Sequence, residues 1–156
     1  MVSFTNARGR ADASRMSVPA TRPLILIVED FDDAREMYRD YLEFSGFRVA
    51  TARDGREAIE KARTLQPDLI LMDLSLPGID GWEATRLLKA APDTAHLLIV
   101  ALSAHALATE GDRARAAGCD GFIAKPCLPS DLVDEIGQYL KGQTASRERR
   151  ARPRRH

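Results

Sequence analysis

Apolar residues are concentrated in five short runs, each bounded by polar or turn-forming residues. The runs are Leu24–Val28, Phe47–Ala52, Leu69–Asp73, Leu97–Leu102 and Gly121–Ala124. Short apolar runs of this kind are typical of strands that are buried on both faces of a parallel sheet. We therefore predict five β-strands that lie parallel in one sheet.

The segments between these runs carry apolar residues at helical spacing. A first helix is predicted after Asp32 or Asp33, either of which is a suitable cap, and Gly46 ends it. Four more helices are predicted: Ala58 to Leu65, Gly81 to Ala91, about 107 to 117, and one that begins at Leu128 or Ser130. Strands that alternate with helices through short connections predict an α/β fold, a doubly wound five-stranded parallel sheet with five helices.

Charge divides the chain into three parts. Residues 1–22 contain four Arg and one Asp, and residues 147–156 contain six Arg and one Glu. The remaining 13 basic and 21 acidic residues give the body a net charge of −8 between ends of +3 and +5. We predict one domain over residues 23–141, a disordered basic leader over residues 1–22 and a disordered Arg-rich tail over residues 142–156.

Cysteine content and hydropathy exclude several classes of protein. Cys119 and Cys127 have neither a second pair nor a histidine at metal-ligand spacing, so we predict no disulfide framework and no zinc site. The first 22 residues lack the apolar core of a secretory signal, and no run approaches the roughly 20 apolar residues that cross a bilayer. We expect a cytoplasmic protein without membrane contact.

Polar side chains follow four of the predicted strands at the points where these strands end. Glu29 and Asp30 follow the first strand, Asp73 ends the third, and Ser103 and Lys125 follow the fourth and fifth. The carboxyl ends of parallel strands share one edge, so we expect these groups to converge. Clustered carboxylates repel one another, and Mg²⁺ relieves this repulsion. A carboxylate nucleophile beside a hydroxyl and an ammonium suits phosphoryl transfer through an acyl phosphate.

Four segments, taken in order, carry a family resemblance: Val28–Asp30, Leu71–Gly81 (Leu-Met-Asp-Leu-Ser-Leu-Pro-Gly-Ile-Asp-Gly), Ala101–Ala104 and Lys125-Pro126. Together they resemble the response-regulator receiver domain over about residues 23–141. The resemblance implies a flavodoxin-like, CheY-like sheet with strand order 2-1-3-4-5, in agreement with the five predicted strands. It also implies a cis peptide bond between Lys125 and Pro126.

The resemblance further assigns a role to each polar residue at the sheet edge. It implies that Asp73 is the phosphoacceptor and that Ser103 and Lys125 bind the phosphoryl oxygens. The implied ligands of Mg²⁺ (or Mn²⁺) are the carboxylates of Asp30 and Asp73, the backbone carbonyl of Ser75, and Glu29 through a water molecule. Taken singly, each residue also has an ordinary interpretation, such as a helix cap for Glu29-Asp30 or an exposed lysine for Lys125.

Two further residues are assigned to switching and to hydrolysis. In the family, Ser103 is drawn towards the phosphoryl group and an aromatic residue on the fifth strand turns inward, a position that Phe122 holds here. Phenylalanine departs from the frequent tyrosine, so its coupling rests on packing alone. The alternative for Phe122 is an ordinary half-buried strand residue. His105 is a possible modulator of hydrolysis, although a solvent-exposed histidine is the more ordinary interpretation.

By this resemblance the chain is a single-domain response regulator of bacterial two-component phosphorelay signalling, not an enzyme beyond catalysing its own phosphorylation and dephosphorylation. We expect a histidine kinase or histidine phosphotransfer protein as donor, a downstream protein target on the last two helices and fifth strand, and a monomer or weak dimer. One alternative is an adaptor that works without phosphorylation. Another is nucleic-acid binding through the Arg-rich tail, which the acidic body and the lack of interleaved aromatics oppose. Ser75 disfavours a phosphohydrolase, where a second aspartate is needed, and the absence of a phosphate-cradling loop disfavours an FMN protein.

Overall fold

The computed structural model of the 156-residue chain describes residues 22–74, 80–103, 108–125 and 127–151. Five strands form one sheet in the order β2-β1-β3-β4-β5, and every neighbouring pair is parallel. Their bounds are β1 Leu24–Val28, β2 Arg48–Ala52, β3 Leu69–Asp73, β4 Leu98–Ser103 and β5 Gly121–Ala124. The predicted fold class and strand order are therefore confirmed.

Five helices cover the two faces of the sheet: α1 Asp32–Phe44, α2 Gly55–Leu65, α3 Gly81–Ala90, α4 Ala108–Ala117 and α5 Pro129–Ala151. Alternate residues of each strand point to opposite faces, so the buried side chains form two apolar layers. Residues of α2 and α3 pack on one layer, and residues of α1 and α5 pack on the other. Since both faces are covered, the two ends of the strands are the accessible edges of the sheet.

Helix caps differ from the prediction at α1 and follow ordinary capping chemistry at α2 and α3. The N-cap position of α1 is Phe31, which makes no side-chain cap, so the prediction that Asp32 or Asp33 caps this helix is wrong. Both aspartates lie in the first turn instead, where the helix dipole favours negative charge. By contrast, Asp54 caps α2 and Asp80 caps α3, each accepting a backbone N–H at 2.8 Å.

The last helix is longer than the sequence pattern predicts. Helix α5 continues to Ala151, ten residues beyond residue 141, where the predicted domain ends. Glycine in a helix interior costs about 1 kcal/mol relative to alanine, but the alanine, arginine and glutamate residues that follow Gly142 are strong helix formers. Pro153 cannot continue the helix, and α5 ends two residues before it. None of the helices in the described ranges is long and apolar enough to cross a membrane.

Candidate phosphoacceptor site

Backbone hydrogen bonds just beyond the strand ends fix where the polar residues lie. The N–H of Glu29 donates to the carbonyl of Ala52 at 3.0 Å, which extends the pairing of β1 with β2. The N–H of Lys125 donates to the carbonyl of Ser103 at 2.7 Å, which does the same for β5 and β4. Together with Asp73, the last residue of β3, these groups lie at the carboxyl edge of the sheet, as the sequence predicts.

Three carboxylates form a tight acidic cluster at this edge. Single carboxylate oxygens of Glu29, Asp30 and Asp73 all lie within 4.8 Å of one another. Glu29 and Asp73 are only 3% and 4% exposed, whereas Asp30 is open to solvent. Within the described parts of the chain, this is the one group of three or more such residues whose ligand atoms are close enough to share a metal ion.

The ammonium of Lys125 lies between the two buried carboxylates. Its Nζ is 3.4 Å from Glu29 Oε2 and 3.5 Å from Asp73 Oδ2. Burial alone would lower the pKa of Lys125, but the charges of Asp73 and Glu29 outweigh burial and raise the pKa above its ordinary value. Lys125 therefore stays charged at neutral pH, facing both carboxylates.

One lysine does not neutralise this cluster. The pKa of Glu29 is raised from 4.5 to about 8, chiefly by burial and then by the hydrogen bond with Asp73 and its charge, while Lys125 acts in the opposite direction. Burial, and after it the neighbouring Asp73, therefore oppose the negative charge of Glu29. Hard carboxylate oxygens are the ligands that Mg²⁺ prefers, so the donor set fits a divalent cation that would supply the missing positive charge.

Two residues that support the cluster have no role in the sequence analysis. The buried guanidinium of Arg35 donates from Nη1 to the backbone carbonyl of Glu29 at 3.1 Å and also pairs with Asp32, which anchors α1 to the end of β1. At Gly81, an added Cβ atom would lie 2.1 Å from the carbonyl oxygen of Asp73. The first turn of α3 can approach β3 this closely only because Gly81 has no side chain.

The signals for these two contacts are weak in the sequence. Gly81 directly follows the N-cap Asp80, and a glycine at the first position of a helix indicates close backbone approach only once the neighbouring strand is known. Arg35 is one of many arginines in the chain, and the helical spacing of apolar residues does not indicate that its guanidinium is buried.

The two residues predicted to act in switching, Ser103 and Phe122, lie on the neighbouring strands β4 and β5. Ser103 is the last residue of β4, is 1% exposed, and is paired in register with Ala124 of β5. Phe122 is half-buried in β5 and packs against the apolar layer that α2 and α3 cover. Ser75, His105 and Pro126 lie outside the described residues, so the predicted carbonyl ligand, hydrolysis modulator and cis peptide bond stay predictions.

Comparison with known sequences agrees with this geometry. The family profile described as the response regulator receiver domain matches residues 25–137. The polar-differentiation response regulator DivK of Brucella anthropi is 37% identical over 116 residues, which are 74% of this chain and 94% of that protein.

Solved structures share the fold. Chemotaxis protein CheY4 of Vibrio cholerae matches with a TM-score of 0.73 and 27% identity, covering 76% of this chain and 99% of that chain. The receiver domain of the sensor histidine kinase PA1611 of Pseudomonas aeruginosa, which has a magnesium ion coordinated in its active-site cleft, matches with a TM-score of 0.72 and 31% identity over 78% of this chain and 99% of that chain. The family match, the strand order and the acidic sheet edge agree: this chain belongs to the response regulator receiver domain family.

Proposed function

We propose that this protein works in two-component signalling by accepting a phosphoryl group on Asp73 from a phosphohistidine of a histidine kinase or a histidine phosphotransfer protein. The observation that carries the proposal is the position of Asp73, a buried carboxylate at the carboxyl edge of the sheet beside two further carboxylates and an ammonium. Membership of the receiver family supports the same role.

The transfer requires one bond to form and one to break. A carboxylate oxygen of Asp73 attacks the phosphorus atom, the P–N bond to the donor imidazole breaks, and the imidazole leaves with the electron pair and takes up a proton. Lys125, 3.5 Å from Asp73, holds an oxygen of the transferred group, and the hydroxyl of Ser103 holds another. Such transfers depend mostly on positioning and on neutralising the charge of the transferred group.

The acidic cluster is suited to hold Mg²⁺, or Mn²⁺, during this step. Asp30 and Asp73 would contribute carboxylate oxygens, Ser75 its backbone carbonyl, and Glu29 would contact the ion through water. When bound, the ion neutralises part of the negative charge on the phosphoryl oxygens. This requirement for a cation gives the proposal an independent test.

Phosphorylation then changes which partner the protein binds. The phosphoryl group adds a charge of about −1.5 to −2 at Asp73. Ser103, at the end of β4, is drawn towards it, and Phe122 follows through packing alone because it has no hydroxyl to donate. We infer that the surface formed by α4, β5 and α5 carries this change to a downstream protein in the cytoplasm, and that the protein catalyses no reaction other than its own phosphorylation and dephosphorylation.

The test is Mg²⁺-dependent phosphorylation by acetyl phosphate, measured as a gain of one phosphoryl group by intact-mass spectrometry. Wild type is expected to gain it with Mg²⁺ and not with EDTA. Asp73→Asn is expected to gain none under either condition. Asp93→Asn is the matched control because Asp93 is exposed and lies in the loop between α3 and β4; it should behave as wild type.

Phosphorylation of Asp73→Asn at wild-type level would contradict the assignment of the site. If folded wild type gains no phosphoryl group from acetyl phosphate or from a panel of phosphorylated histidine phosphotransfer proteins, the adaptor that works without phosphorylation becomes the better proposal.

A further inference from the structure

Arg35 contacts the backbone on both sides of Asp30. Its guanidinium Nη1 donates to the carbonyl oxygen of Glu29 at 3.1 Å, and its backbone N–H donates to the carbonyl oxygen of Phe31 at 2.9 Å. Glu29 and Phe31 are the residues directly before and after Asp30, which is the solvent-exposed member of the acidic cluster. A single residue of α1 therefore holds the chain at both sides of this carboxylate.

The guanidinium of Arg35 is itself fixed in orientation. The side chain is only 7% exposed, and its second terminal nitrogen, Nη2, forms an ion pair with Asp32 in the first turn of α1. The planar guanidinium can direct two N–H groups at two acceptors at once, which a lysine ammonium on a flexible stem does less well. Asp32 thus orients the guanidinium, and the guanidinium in turn orients the peptide group that joins Glu29 to Asp30.

Asp30 lies outside regular secondary structure, so its direction depends on such contacts. Strand β1 ends at Val28, and α1 begins at Asp32. Mg²⁺ demands nearly ideal octahedral geometry, so a small displacement of a ligand weakens its binding. Groups that orient metal ligands typically change metal affinity by about 10–100-fold when they are removed. Arg35 occupies such a position with respect to Asp30.

The charge of Arg35 and its hydrogen bonds have opposite effects on a cation. The positive charge repels the cation, so by charge alone the loss of Arg35 would strengthen cation binding. The ion pair with Asp32 offsets this repulsion, and the charges that act most on the pKa of Glu29 are those of Asp73 and Lys125. We therefore expect the hydrogen bonds to outweigh the charge, so that the loss of Arg35 weakens cation binding.

We propose that Arg35 is a positioning residue of the cation site, which holds the Glu29–Asp30 segment so that Asp30 and Asp73 can share one Mg²⁺ ion. The inference rests on the proposed function, because that function requires the cation, but binding of the cation can be measured without any phosphotransfer. If Arg35 only joined α1 to the end of β1, its loss would lower the stability of the protein and leave the affinity of the folded protein for Mg²⁺ unchanged.

Calorimetric titration of the full, unphosphorylated chain with Mg²⁺ alone tests the inference. Arg35→Gln is expected to raise the dissociation constant of Mg²⁺ by about 10–100-fold. Arg35→Lys should raise it less, because an ammonium keeps the charge and can replace one of the two contacts. Arg39→Gln is the matched control: Arg39 is exposed on the same helix, pairs with Glu43 at 3.2 Å, and its replacement removes the same charge. This control should bind Mg²⁺ as wild type does.

The rate of phosphorylation by acetyl phosphate gives a second measurement. For Arg35→Gln, the Mg²⁺ concentration that gives half the maximal rate should rise with the dissociation constant, while the rate at saturating Mg²⁺ stays within about threefold of wild type. Circular dichroism checks that each variant is folded.

The inference is overturned if folded Arg35→Gln binds Mg²⁺ as tightly as wild type or more tightly, the latter being the result that charge alone predicts. An equal loss of affinity in Arg39→Gln overturns it as well. If wild type binds no Mg²⁺, both this inference and the proposed need for a cation fail. If wild type binds Mg²⁺ and Arg35→Gln binds it more weakly, but Asp73 accepts no phosphoryl group, the inference holds and only the proposed phosphotransfer fails.

Discussion

Replacing Glu29 by glutamine should remove a pH-dependent loss of stability. Glu29 is 3% exposed, and its pKa is raised from 4.5 to about 8, first by burial and then by Asp73. Below pH 4.5 both the folded and the unfolded chain hold this proton, so Glu29 does not lower the free energy of unfolding. As the pH rises from about 4.5 to 8, the unfolded chain releases the proton first and the folded state loses stability. A shift of more than three units at about 1.4 kcal/mol per unit predicts a loss on the order of 4 kcal/mol.

The assay is urea denaturation of wild type and Glu29→Gln at pH 5 and at pH 8, in EDTA and then in Mg²⁺. In EDTA, raising the pH from 5 to 8 should lower the free energy of unfolding of wild type by a few kcal/mol more than that of the variant. The reason is that glutamine carries no charge at either pH. At pH 8, Mg²⁺ at 100 times its dissociation constant should raise the free energy of unfolding of wild type by about 2.7 kcal/mol. It should stabilise the variant less. Glu60→Gln, an exposed substitution in α2, should follow wild type throughout.

Parallel pH profiles for wild type and Glu29→Gln in EDTA would refute the reasoning. Glu29 would then ionise in the folded state as an ordinary carboxyl does, and the acidic cluster would not oppose folding. A third outcome is that the two proteins differ in their pH profiles and yet are stabilised equally by Mg²⁺. Glu29 would then still oppose folding when it ionises, but it would have no part in binding the ion.

Two other features of the structure give direct predictions. Gly81→Ala should destabilise the protein by at least about 1–3 kcal/mol in urea denaturation, because the new Cβ atom would lie 2.1 Å from the carbonyl oxygen of Asp73. Gly137→Ala, where an added Cβ atom meets nothing within 4 Å, should instead gain up to about 1 kcal/mol, and equal effects would contradict the steric argument. Iodoacetamide at pH 8 should label half-buried Cys127 in the native protein and leave Cys119 unlabelled until unfolding, since burial raises the pKa of the Cys119 thiol to about 11. Peptide mass spectrometry that finds equal native labelling would contradict the burial of Cys119.

The sheet and the acidic cluster could be predicted because they depend on local patterns. The runs Leu24–Val28 and Leu69–Asp73 are apolar over almost their whole length, and strands buried between two helical layers require this. Once the strands are parallel, their carboxyl ends share an edge, and Glu29 and Asp73 converge without further information. The prediction that these carboxylates lie close together follows from topology rather than from any single motif.

What could not be predicted depends on how individual side chains pack in the fold or on weak local preferences. Arg35 is buried because its guanidinium reaches the carbonyl of Glu29, and the polarity of arginine gives no sign of this burial. The missing side-chain cap of α1 and the continuation of α5 past Gly142 each involve differences on the order of 1 kcal/mol, which tertiary packing or neighbouring residues override.

The acidic cluster explains why phosphorylation at this edge of the sheet should move neighbouring elements. Glu29 and Asp73, whose carboxylate oxygens lie within 4.8 Å of each other, repel when both are ionised, and their burial limits screening by salt. Lys125 contacts both buried carboxylates already, so one ammonium has no further charge to offset the roughly −2 of a phosphoryl group on Asp73. New donors must come from neighbouring segments, and we expect Ser103, buried at the end of the adjacent strand, to supply one. The same repulsion that favours a divalent cation therefore makes rearrangement of the β4 end the expected response to phosphorylation.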